Sequence, residues 1–151
     1  MKYLCSPTKI LILRGEDPTG HGYYGAKRSW KKDEKHHGLD IVTVPGEPIF
    51  SCYQGIVRIG NVYETNKPDK PIMKLVETTD PEIKVKLMYV KPVVKTGQYV
   101  EKGELIGHAQ NVTDYHTDSE FDPDNEMLNH IHAQTWKNGL ETDPEAIIKE
   151  F

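Results

Sequence analysis

At 151 residues, with 36% hydrophobic and 28% charged side chains, the chain is long enough to bury a core of its own as a single domain over 1–151. A net charge of −4 with acids and bases interspersed gives no argument for binding nucleic acid or an anionic membrane. No apolar run approaches the ~20 residues that span a bilayer, so no transmembrane segment is predicted.

The first segment, residues 1–35, reads as an N-terminal strand and a long loop. Ile10-Leu11-Ile12-Leu13 is predicted as a short buried strand, and the run is too short for the core of a secretory leader. Gly15 to Lys35 is polar; its basic stretch from Lys27 to Lys35 also holds Asp33 and Glu34 and reads as a solvated loop. Ile41 to Val44 is a strand stopped by the turn pair Pro45-Gly46. Pro48 to Tyr63 alternates apolar and polar residues around Gly55 and Gly60, which predicts two strands bent at glycines. Met73 to Thr78 and Ile83 to Val90 form a pair joined at Asp80-Pro81.

From Val93 to Ala109, Gly97, Gly103 and Gly107 fall between short apolar pieces and imply tight turns. A second polar loop, Asn111 to Asn129, carries five acids between Asp118 and Glu126. Loops this long usually line a functional site or are disordered. His130 to Trp136 reads as the last strand, turned by Asn138-Gly139. Only Asp143 to Phe151 looks helical, with Asp143 as N-cap and Pro144 at the first helical position. The fold class is therefore mainly β, a compact twisted antiparallel sheet domain with a short C-terminal helix. The two cysteines, Cys5 and Cys52, allow one disulfide or two thiols.

The chemistry concentrates in His36-His37-Gly38-Leu39-Asp40 and His130-Ile131-His132. On a strand His130 and His132 share a face while Ile131 points to the core. Fully extended, His36 and Asp40 would sit ~13 Å apart, so Gly38 must permit a bend that brings them together. Two imidazoles and one carboxylate suit zinc, and three protein ligands leave a fourth position open, as in catalytic zinc sites. The candidate ligands are His36, Asp40 and the His130/His132 pair. His37 has the wrong parity, and His108 and His116 read as surface residues; His21, in Gly20-His21-Gly22, is a weaker candidate to approach the site.

In order along the chain, His36-X-Gly-X-Asp40, Gly55-Ile-Val, Tyr89, Gly97-X-X-Val-X-X-Gly103-X-X-Ile-Gly107, His130-X-His132 and Asp143-Pro144 resemble the lysostaphin-type zinc metallopeptidases. The resemblance covers residues 36 to 148. It implies the fold of that family, Zn2+ held by His36, Asp40 and His132, His130 as an assisting catalytic residue, and peptide cross-bridges of bacterial cell walls as substrate class. One departure stands out. A second catalytic His usually follows two residues after a Tyr, and here Tyr89-Val90-Lys91-Pro92 puts Lys91 in its place. An ammonium donates hydrogen bonds but offers no lone pair, so Lys91 can stabilise an oxyanion without replacing an imidazole that deprotonates water.

A narrower resemblance, to the leukocyte cell-derived chemotaxin branch, rests on Asp17-X-X-Gly-X-Gly-X-Tyr24-X-Ala26-X-Arg28-Ser29 and on Met88-Tyr89-Val90-Lys91-Pro92. It implies an extracellular signalling or binding protein that keeps zinc and has lost peptidase activity. The partner would then be a protein receptor or a peptide or peptidoglycan ligand. That branch carries several disulfides. Here Thr43 stands where the partner of its N-terminal cysteine is usual, and Cys52 lies further along.

Overall fold

The computed structural model describes residues 5–11, 16–17, 20–21, 38–65, 68–115 and 128–144. Its strands in chain order are β1 (Glu16–Asp17), β2 (Gly20–His21), β3 (Leu39–Val42), β4 (Pro48–Phe50), β5 (Gly55–Asn61) and β6 (Lys74–Thr79). They continue with β7 (Ile83–Met88), β8 (Val90–Pro92), β9 (Tyr99–Val100), β10 (Leu105–Ala109), β11 (His130–Lys137) and β12 (Leu140–Thr142). One short helix, α1 (Val112–Tyr115), follows β10.

The large sheet runs β12-β11-β7-β6-β5-β9, and a smaller one runs β4-β10-β8. Strand β11 is long enough to carry two partners on one edge: β3 against its first half and β12 against its second, with β7 along the other edge. All of these pairings are antiparallel.

Alternation sorts the side chains of the large sheet. Ile83, Val85 and Leu87 of β7 point inward, while Lys84, Lys86 and Met88 take the other face. Ile131, Ala133 and Thr135 do the same on β11. With Leu39, Ile41, Val57 and Val76 they pack against Ile49, Val90, Ile106 and Ala109 of the small sheet. This is a core of interdigitated β-branched and leucine side chains between two sheets. The register then lines up rows on the opposite face. Asp40, His132, Met88, Leu75 and Gly60 form one row. Gln134, Lys86, Glu77 and Arg58 form the next, and Trp136, Lys84, Thr79 and Ile56 the third.

Three sequence expectations need correcting. Ile10 is not part of a buried strand: it is 72% exposed and only Leu11 of that run packs on the core among the described residues. The polar stretch after Gly15 contains the small β1–β2 hairpin, with Glu16 opposite His21. β11 is not the last strand, because Asn138 and Gly139 take left-handed backbone angles (φ 51° and 81°) and return the chain into β12. Apart from Asp143 and Pro144, the expected C-terminal helix lies outside the described residues.

A histidine and aspartate centre on the β3–β11 ladder

Asp40 sits between Leu39 and Ile41, both fully buried in the core. Strand alternation therefore turns Asp40 to the opposite face, where it is nonetheless only 2% exposed. A carboxylate so shielded must be compensated by donors or a cation. The register supplies one directly, since His132 is paired with Asp40 across the ladder. Directly opposed residues bring their Cβ atoms to within ~5 Å, and His132 Nδ1 lies 2.9 Å from Asp40 Oδ1. His130, two residues earlier on the same face, turns Nε2 to within 3.7 Å of Asp40 Oδ2.

The other nitrogen of each ring is also assigned by its surroundings. His130 Nδ1–H donates to the Leu128 carbonyl at 2.8 Å, so in the neutral ring the lone pair is on Nε2, facing Asp40. His132 Nε2 is packed against Gly38: a Cβ there would stand 2.4 Å from Nε2 and 2.4 Å from the Ala133 carbonyl oxygen. Gly38 is thus required by close approach of the His132 ring, with Nδ1 left as the nitrogen that can share a ligand with Asp40.

Residues remote in sequence hold this arrangement. The Tyr89 ring meets His130 edge-on with centroids 5.6 Å apart, and its hydroxyl lies 3.2 Å from that of Tyr63. Tyr89 takes a left-handed φ of 70° where the chain passes from β7 to β8, gripped by Tyr89 N–H to Lys74 O and Gln110 N–H to Tyr89 O, both 2.8 Å. Asn129, immediately before β11, donates to Thr43 Oγ1 and to the Gln110 carbonyl and accepts from Val112 N–H. It ties the end of β3, the end of β10 and the start of α1 to the strand that carries both histidines. Tyr63 and Asn129 carry no signal in the sequence that would mark them; they matter only through contacts made by folding.

Of the sequence candidates, the structure brings Asp40, His130 and His132 together. His36, with His37 and His116, lies outside the described residues. Among the described residues no group of three or more His, Cys, Asp or Glu side chains is arranged to hold a metal. The buried carboxylate and the Nδ1 turned on it, with the His132 ring seated against Gly38, fit two ligands of a zinc site. Lys91 is exposed on β8 and stands directly opposite His108 of β10.

Residues 34–144 match the model of peptidase family M23. Myeloid protein 1 of Gallus gallus is 27% identical over 104 residues; the match covers 69% of this chain, which spans about a third (31%) of that relative's length. Among solved structures, the catalytic domain of the antimicrobial peptidase lysostaphin from Staphylococcus simulans superposes with a TM-score of 0.58 at 19% identity. That match covers 87% of this chain and 91% of the lysostaphin domain. A zinc-containing peptidase from Vibrio cholerae gives 0.59 at 19% identity, covering 99% of this chain and 40% of its own.

Proposed function

The chain belongs to peptidase family M23, and on that premise we propose that it is a zinc-binding, extracellular signalling or binding protein whose metallopeptidase fold serves recognition rather than cleavage. The observation that carries the zinc reading is the Asp40–His132 pair, converged on one point of the β3–β11 ladder with its carboxylate buried. His36, Asp40 and His132, the last through Nδ1, are the proposed ligands, and zinc supplies a Lewis acid when bound. His130 is the assisting residue, its ring oriented by the Leu128 carbonyl and Tyr89.

Lys91 supports loss of cleavage. An imidazole two residues after Tyr89 would accept or relay a proton; an ammonium there can only donate. The proposed partner is a protein receptor, or a peptide or peptidoglycan segment laid on the face of the sheet that carries the site.

One observation favours a second reading, an active zinc endopeptidase of cell-wall cross-bridges. His108 is the cross-strand neighbour of Lys91, so an imidazole does stand beside the position. Incubation of the zinc-loaded protein with purified peptidoglycan and with glycine-rich peptides separates the two. On the binding reading, wild type cuts neither and Lys91→His gains hydrolysis. Sustained cleavage by wild type that His132→Ala and His108→Ala each abolish would establish the peptidase instead.

A further inference from the structure

Neither cysteine makes a contact that belongs to the Asp40–His132 pair. Cys5 N–H donates to the Cys52 carbonyl at 2.8 Å, and Phe50 N–H donates to the Pro7 carbonyl at 2.8 Å. The two bonds share one antiparallel register, with 5 opposite 52 and 7 opposite 50. Ser51, between them, is bonded on its other side to Gly103 and Glu104. The N-terminal segment therefore runs antiparallel beside residues 50–52, held by these two backbone bonds.

Opposed residues of an antiparallel pair have Cα atoms ~4.5–5.5 Å apart, inside the ~4.4–6.8 Å that a disulfide spans. Cys52 is fully buried in the core cluster and Cys5 is half-buried. Burial, with the neighbouring Cys5 charge second, pushes the Cys52 thiol far above its ordinary range. It is shielded from solvent yet within electrostatic reach of its partner.

We propose that Cys5 and Cys52 form a disulfide that staples the N-terminal segment to the core. The oxidant is a small-molecule disulfide. The more accessible Cys5 thiolate attacks one of its sulfurs, forming a mixed disulfide and expelling one thiolate. Cys52 then gives up its proton and attacks the Cys5 sulfur, expelling the second thiolate. Two protein thiols are oxidised, one external disulfide is reduced to two thiols, and the two protons end on those products. The ring so closed runs from residue 5 to residue 52, a long loop in the unfolded chain, which is where a cross-link constrains the denatured state most.

The test uses the full chain equilibrated in buffers of reduced and oxidised glutathione, quenched with acid, then alkylated in denaturant and mapped by mass spectrometry. In the oxidising buffer the peptides holding Cys5 and Cys52 should be joined, with the protein two hydrogens lighter. Its Tm should stand on the order of 10 °C above that of the reduced protein. Cys5→Ser removes a half-buried thiol, folds without it, and should melt alike in both buffers. Because Cys52→Ala opens the core, Cys5→Ser is the deciding variant. Two alkylatable thiols in oxidising buffer, a glutathione adduct that stops at Cys5, or a Cys5-linked dimer would each overturn the proposal.

Discussion

His132 Nδ1 lies 2.9 Å from Asp40 Oδ1, although 92 positions separate the two residues in the chain. The distance follows from strand register: Asp40 and His132 are opposed on β3 and β11, and both neighbours of Asp40 are anchored in the core. Such a pair can share either a proton or a cation. In the first state Nδ1–H donates to the carboxylate; in the second the proton leaves and both atoms become ligands.

Zinc should therefore stabilise the protein, because it binds the folded arrangement and not the dispersed ligands. At one hundred times its dissociation constant the gain is ~2.7 kcal/mol. Thermal melts with zinc and with excess chelator measure it. His132→Ala and Asp40→Asn should each remove the difference. A wild-type Tm indifferent to zinc would exclude Asp40 and His132 as ligands.

Gly38→Ala tests the shape of the site without replacing a proposed ligand. The added methyl meets His132 Nε2 and the Ala133 carbonyl oxygen, both at 2.4 Å, and the carbonyl belongs to a paired strand that cannot easily give way. The ring must move. We expect destabilisation of ~1–3 kcal/mol, as for other overpacked positions, and zinc affinity lower by roughly 10-fold or more, as when a ligand's support is lost. Calorimetric zinc titration of a variant still folded by circular dichroism gives the second number. Unchanged affinity would mean that the His132 ring does not depend on the space at Gly38.

The parts of this site legible in the sequence are those set by strand alternation. His130-Ile131-His132 reads directly as two outward histidines around a core residue, and the structure has Ile131 fully buried between them. What was not legible depends on partners distant along the chain. Leu140-Glu141-Thr142 is too short and polar to announce a strand, and becomes β12 only because Thr135 to Lys137 is there to pair with it. Ile10 reads as core by composition, yet the residues that bond to the chain at Phe50 and Cys52 lie earlier, at Cys5 and Pro7. Asn129 and Tyr63 act through contacts that no local pattern encodes.

Glu77 makes stability sensitive to acid from the row next to that of Asp40 and His132. Burial alone would raise its carboxyl, but the Arg58 hydrogen bond at 2.7 Å and the charges of Lys84, Arg58 and Lys86 outweigh burial and hold it below the ordinary value of 4.5. A folded-state value below the unfolded one gives stability that is fully present above about pH 4.5 and is lost as pH falls through the depressed value. Glu77→Gln should flatten that part of the pH–stability curve. Because Arg58 is well exposed, the cost at neutral pH should be only about 1 kcal/mol. Urea unfolding from pH 7 down to pH 3 measures both effects, and a variant curve parallel to wild type would remove Glu77 from the account.

The Asn138-Gly139 turn offers a prediction that separates fold from site. Both residues have positive φ, 51° and 81°, the geometry that closes a two-residue hairpin with the natural twist of its strands. Around Gly139 nothing lies within 4 Å of an added Cβ, so substitution there is opposed by backbone strain alone. Gly139→Ala should destabilise the protein by ~1–2 kcal/mol. Asn138→Gly should be nearly neutral, because glycine accepts the same angles. The hairpin grips the far half of β11, where Thr135 Oγ1 meets Thr142 Oγ1 at 2.7 Å, whereas His130 and His132 sit on the half held by β3. Zinc affinity should therefore stay at the wild-type value in Gly139→Ala while its urea midpoint falls. A parallel fall in affinity would show that the two halves of β11 do not move independently.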